Sequence, residues 1–231
     1  MKQLPLSIPL RDHSDFDNFY VCNNNAEAVG IARRLASDAD GQVLLLHGEA
    51  QSGRSHLLEA ACLLAQSKQR TALYLPLRTL ITAATSDLFD GLESVSLLAL
   101  DDVDCLAGKP DWEEALFHLY NRGRQAQQSL LLSSRSAPFH IPFLLKDIHS
   151  RLGAALVYKL HGLDDEGKQS CLKLRAANLG LTVSDEVANY ILLRSSRDLA
   201  SLVATIETLD RETLSEKRRL TVPFVKKIMS W

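Results

Sequence analysis

Gly48 and Gly53 bracket Glu49, Ala50, Gln51 and Ser52, and Arg54, Ser55 and His56 follow directly. This is the spacing G-x-x-x-x-G-[basic]-[ST], and its chemistry is phosphate binding. Glycines let the backbone curl so that successive N–H groups point at phosphate oxygens. A helix starting near Gly53 adds its positive end, and the Ser55 hydroxyl suits a magnesium ion. The usual lysine is replaced by Arg54, which keeps the charge but exchanges a compact ammonium for a planar fork. Phosphate binding is expected to survive that exchange, whereas rapid hydrolysis needs a cation placed more accurately. A Gly-rich turn between a core strand and a helix would explain the loop alone.

A second acidic motif argues against that plainer explanation. Residues 95–104 run Val-Ser-Leu-Leu-Ala-Leu-Asp-Asp-Val-Asp, an apolar strand ending in Asp101 and Asp102 about fifty residues after the loop. In this arrangement the first carboxylate helps to hold magnesium and the second orients a water for attack on a terminal phosphate. A buried strand ending in acids at solvent is the alternative if the motif stood by itself.

The elements that must position these groups follow from periodicity. Apolar runs at 43–47, 71–75, 95–100, 129–134 and 154–160 read as strands. Helical spacing marks 26–37, capped by Asn23–Asn25, then 53–66, 77–88 and 111–125. Alternating strands and helices predict an α/β fold, a five-stranded parallel sheet with helices on both faces. Ligands in such sheets bind at the carboxyl ends of the strands, where the loop and Asp101 sit. After Gly162 the strands stop, and 164–178, 184–194, 196–209 and 221–230 read as helices. The expected domains are an extended arm at 1–10, a nucleotide-binding α/β domain at 11–162 and an all-α domain at 163–231.

Composition adds bounds. With 231 residues and a formal charge of −2, the chain gives no bulk electrostatic reason for tight nucleic-acid binding. Cys22, Cys62, Cys105 and Cys171 are scattered without a C-x-x-C pair, which suits inert thiols in a reducing cytoplasm. No apolar run reaches the ~20 residues a membrane span needs, and the N-terminus does not read as a signal peptide. Residues 1–10 are apolar at alternate positions and punctuated by Pro5 and Pro9, which forbid a helix. Pattern alone leaves a frayed arm and a docking peptide both open. His47 and His56 have no ligand spacing with other histidines and read as structural.

The loop through His56-Leu57-Leu58, and Leu100-Asp101-Asp102-Val103-Asp104-Cys105-Leu106-Ala107-Gly108-Lys109 with Glu113-Glu114 and Phe117-His118, resemble the DnaA family of AAA+ nucleotide-binding proteins. The likeness covers nearly the whole chain and implies an AAA+ P-loop domain followed by a helical lid. Phe16-Asp17-Asn18-Phe19 resembles the segment against the nucleotide base, which brings in Phe19 and Val21. The chain ends at Trp231 without the initiator's helix-turn-helix domain, which resembles the family's shortened Hda group. That group joins the DNA sliding clamp and switches the initiator DnaA off. The resemblance implies clamp binding by Gln3, Leu4, Leu6 and Ile8. It implies ADP or ATP with Mg2+, the ion held by Ser55 and Asp101.

Ser150-Arg151-Leu152 matches the family's Ser-Arg-Phe motif and implies that Arg151 reaches a neighbouring subunit's nucleotide as a catalytic cation. Asp102 is the other implied catalytic group. Arg197, in Ser196-Arg197-Asp198-Leu199, matches a sensor of nucleotide phosphates held in the same subunit. Two positions depart from the family pattern: Asp147 replaces an arginine, and Ser134-Arg135 replaces a sensor acid. The function implied is a regulator that docks on the clamp and promotes hydrolysis of ATP on the initiator, with DNA reached only through the clamp. A self-contained ATPase acting as a helicase loader is the alternative, and a DNA-binding initiator variant ranks last. Self-association is left open.

Overall fold

The computed structural model describes residues 14–38, 40–196, 198–216 and 220–231. Five strands, β1 (Val43–His47), β2 (Ala72–Pro76), β3 (Leu97–Asp101), β4 (Ser129–Ser134) and β5 (Leu156–Lys159), form one parallel sheet in the order β2-β3-β4-β1-β5. Their interior positions are Leu-rich because a parallel sheet is covered on both sides. Val43, Leu45, Leu98, Leu100, Leu130 and Leu132 share one core with Trp112, Leu116 and Leu119 of helix α4 (Pro110–Gln125). The alternating residues Leu44, Leu46, Leu97, Ala99 and Leu131 are also fully buried, on the side covered by α2 (Arg54–Ser67).

Helix α1 (Ala26–Ser37) spans the expected residues, but its start differs. Asn23–Asn25 form a 3-10 turn, and Asn25 makes no side-chain cap. Its amide instead pairs with the backbone of His161, donating to the carbonyl at 3.1 Å and accepting from the N–H at 3.0 Å. The helix expected at 77–88 is broken into α3 (Leu77–Leu80) and a 3-10 turn at Ser86–Phe89. Two causes act together. Thr82 turns its hydroxyl back onto the Thr79 carbonyl, 3.0 Å away, and Thr85 is extended. The break lets Phe89 bury completely against Trp112. Helix α5 (Lys146–Gly153) precedes β5.

The chain divides into two units. The first holds the sheet, through His161. The second runs from Gly162 and also takes Asp17–Cys22, a segment expected within 11–162. Asn178 is one reason, since its amide donates to the Asp17 carbonyl and to Asn18 at 3.0 Å each. The second unit packs α6 (Asp165–Asn178), α7 (Asp185–Arg194), α8 (Leu199–Glu216) and α9 (Val222–Met229) around Leu172, Ile191, Leu202, Ile206 and Phe224. Asp164, Ser184 and Thr221 cap three of these helices as acceptors. Helix α8 starts later than expected because Asp198 caps it, accepting the Ser201 N–H at 2.9 Å. Among the described residues no helix is long and apolar enough to cross a membrane.

Candidate functional site

The loop leaves β1 at its carboxyl end. Gly48 donates its N–H to the Ser134 carbonyl at 3.2 Å, so the loop is tied to the tip of β4 as it begins. A Cβ on Gly48 would stand 2.4 Å from the Leu160 carbonyl oxygen and 2.9 Å from the Ser52 hydroxyl, so only glycine fits. Gln51 (φ 66°) and Gly53 (φ 92°) take the left-handed conformation that turns the loop into α2. Glu49 accepts the Ser52 N–H with its carbonyl at 3.3 Å, and Ala50 and Gln51 form the exposed tip. Strand order explains the meeting of the two motifs. β4 lies between β1 and β3, so its tip, Ser133-Ser134, separates and joins the loop and the acids.

The acids are held more firmly than their sequence suggests. Asp101 is buried and accepts from the Tyr74 hydroxyl at 2.8 Å and from the Ser133 hydroxyl. Burial, and then Asp101 itself, pushes the Tyr74 phenol far up, so it stays protonated and donates. Asp102 sits in a left-handed conformation (φ 57°) and donates its N–H to Ser133 Oγ at 2.8 Å. Its carboxylate takes Arg54 Nη1 at 3.0 Å and Arg78 Nε at 2.9 Å. Arg78 also reaches Asp104 at 3.2 Å, and Asp104 accepts the Arg135 N–H at 3.2 Å. The water-orienting role expected for Asp102 thus meets a carboxylate with both oxygens already paired to guanidinium groups. His56 does not turn to the loop either, because its Nε2 lies 2.7 Å from the Asp15 carbonyl.

These residues fit a phosphate group. The Ser52 hydroxyl is buried beside Gly48 and has no hydrogen-bond partner among the described residues. Burial, and then Lys159, His140, Arg54 and His161, push the His47 imidazole below its ordinary value. A magnesium ion fits less as a caged ion than as a companion of the phosphates. The donors on hand are the Ser55 hydroxyl and Asp101, and among the described residues no cluster of three His, Cys, Asp or Glu could hold a metal unaided.

Arg151 lies elsewhere. It stands exposed in the last turn of α5, its guanidinium 5.9 Å from the centre of the Phe117 ring. With Arg124 and Tyr120 of α4 it lines a cleft of about 350 Å3. Val43 and Leu156, the first residues of β1 and β5, also line it. The cleft is therefore at the amino ends of the strands, and the phosphate loop is at their carboxyl ends. Of the other expected residues, Phe19 and Val21 belong to the second unit, Phe19 buried and Val21 exposed. Gln3, Leu4, Leu6, Ile8 and Arg197 lie outside the described residues. Tyr74, Arg78 and Ser133 were missed in the sequence. Tyr74 alone left a trace, as the one polar-tipped side chain in an apolar strand.

Residues 10–159 match the family model of the bacterial DnaA ATPase domain, and residues 165–229 match that of the Hda lid domain. An uncharacterised protein of Haemophilus influenzae is 37% identical over 230 residues, covering 99% of each chain. Domain III of the replication initiation protein DnaA from Thermotoga maritima superposes with a TM-score of 0.77 at 21% identity, over 96% of this chain and 98% of that one. AMPPCP-bound DnaA from Aquifex aeolicus gives 0.71 at 21% identity, over 90% and 71%. The fold is that of an AAA+ domain with a helical lid. The chain belongs to the DnaA family, as an Hda-like AAA+ protein related to replication initiation.

Proposed function

We infer that this chain is a cytoplasmic regulator of replication initiation that binds ADP, docks on the DNA sliding clamp and promotes hydrolysis of ATP held by the initiator DnaA. The observation that carries the reading is the position of Arg151. Five residues of β1 separate the cleft from the loop, on the order of 15 Å of extended chain, so Arg151 cannot serve its own phosphate loop. A guanidinium presented to a partner's nucleotide stabilises charge on the transferring phosphoryl without covalent chemistry.

The chain's own site supports binding over turnover. Gly48 to Gly53 would cradle the phosphates, Arg54 would face them with its charge, and Ser55 and Asp101 would hold a magnesium ion that neutralises phosphate charge. Asp102, paired with Arg54 and Arg78, is poorly placed to orient an attacking water. Arg197 would sense the phosphates of the bound nucleotide. Gln3, Leu4, Leu6 and Ile8 would enter a pocket on the clamp, leaving DNA contacted only through it. The AMPPCP bound by the Aquifex aeolicus relative supports a nucleoside polyphosphate as ligand.

The test is ATP turnover by purified initiator with clamp-loaded DNA, with and without this chain. Stimulation of the initiator by at least tenfold, with slow turnover by this chain alone, is expected. Equal turnover by this chain in isolation would make it a self-contained ATPase instead.

A further inference from the structure

We propose that the cleft at the amino ends of the strands is a polyphosphate site in its own right, with Arg124 as the second cation beside Arg151. Only the identity of the phosphate's owner, a nucleotide on a partner subunit, rests on the function inferred above.

Arg122, two residues before Arg124 on α4, meets the Glu93 carboxylate at 3.2 Å. Arg124 and Arg151 meet none among the described residues, yet both line one cleft. No carboxylate lines that cleft; its polar groups besides the arginines are neutral, and Gln42 and Tyr120 are among them. Burial raises the Tyr120 phenol above its ordinary value, so it enters as a neutral hydroxyl able to donate.

Arg124 is also pre-positioned. Its Nη1 donates to the Gly41 carbonyl at 2.7 Å, and Gly41 is held left-handed at φ 65° with Gln127 against it. One of five guanidinium donors is used, so four remain for a ligand. A fork anchored by one prong loses little freedom when the others bind an anion. The volume, about 350 Å3, is at the lower end of small-ligand pockets. Val43, Ala154 and Leu156 make an apolar wall, which lowers the local dielectric and strengthens the attraction. Two cations with no counter-charge suit two adjacent anionic groups better than a single carboxylate.

Calorimetry with inorganic pyrophosphate at low salt tests this, using the full chain with its phosphate loop either saturated with ADP or carrying Arg54→Ala. One further pyrophosphate is expected to bind in both backgrounds. Arg124→Ala should weaken it at least tenfold, Arg124→Lys should recover part of the loss, and ADP affinity at the loop and the melting temperature should not move. Absence of pyrophosphate binding, or binding indifferent to Arg124→Ala, overturns the proposal. The inferred function is judged separately. If Arg151→Ala leaves the initiator's hydrolysis intact while Arg124→Ala still abolishes pyrophosphate binding, that function falls and the cleft stands. The reverse pair of results sinks the cleft alone.

Discussion

Arg54 donates to Asp102 at 3.0 Å, so the cation of the phosphate loop is joined to the carboxylate at the end of β3. Arg54 is 8% exposed, which makes the contact stronger than a surface pair. Two side chains that would act on opposite sides of a transferring phosphoryl are thereby bound to each other. Arg54→Ala should weaken ADP binding by roughly 1.5–3 kcal/mol, the value of a hydrogen bond to a charged group. Asp102→Asn should do the opposite, freeing Arg54 for phosphate and tightening ADP severalfold. Weaker ADP binding by Asp102→Asn in calorimetry would mean that the pair shapes the loop instead of competing with it.

Arg151 is exposed and makes no ion pair among the described residues, so its removal should leave folding untouched. Arg151→Ala should retain ADP and clamp binding while abolishing stimulation of the initiator's ATP hydrolysis, returning it to the unstimulated rate. Arg151→Lys should also fail largely, because a point charge does not reproduce a two-pronged contact. Full stimulation by Arg151→Ala in a clamp-dependent assay would assign the role to another residue.

Two glycines should respond to alanine with opposite signs. At Gly48 the new methyl meets a backbone oxygen at 2.4 Å, and overpacking of that kind costs about 1–3 kcal/mol along with the loop's geometry. At Gly30, inside α1, nothing lies within 4 Å, so Gly30→Ala should stabilise by about 0.5–1 kcal/mol through helix propensity. Chemical denaturation of both variants reads the difference. ADP binding should be lost in the first and kept in the second.

Deletion of residues 1–9 should abolish co-elution with the sliding clamp and leave ADP affinity unchanged. The motivation is the run Gln3-Leu4-Pro5-Leu6-Ser7-Ile8-Pro9, whose prolines limit the entropy lost on docking. Undiminished clamp binding by the truncated chain would place the docking site elsewhere.

The thiols should be inert. Burial, and then Glu59, pushes Cys62 up to about 12, and burial first of all raises Cys105 and Cys171 to about 11. A thiol-exchange reagent at pH 7.5 should leave these three unmodified in the native protein and reach them on unfolding. The sign for stability follows. The folded chain keeps these protons longer than the unfolded chain, so stability is undiminished below about pH 8.5, the unfolded thiol value. It then falls as pH rises toward 11 to 12, which a melting series against pH would record.

The local features were readable from residue types and spacing alone. The phosphate loop, the acid pair, β4 at 129–134 and α1 at 26–37 each depend on neighbours a few positions away, so their periodicity and turn chemistry suffice. Where local signals competed, the reading failed: at 77–88 the apolar spacing suggested one helix, but threonine hydroxyls and the burial of Phe89 divided it. Every contact that gives the site its character joins distant residues. Tyr74 reaches Asp101, Ser133 reaches both acids, Arg78 reaches Asp102, and Arg124 shares a cleft with Arg151. These meetings depend on strand order, because β4 inserts between β1 and β3 only in the assembled sheet. The residues and spacing thus determined that this chain builds a phosphate cradle beside an acid pair. Tertiary structure alone decided that the cradle's arginine pairs with one of those acids and that Arg151 faces away from it, since both depend on which strand ends the packed sheet brings together.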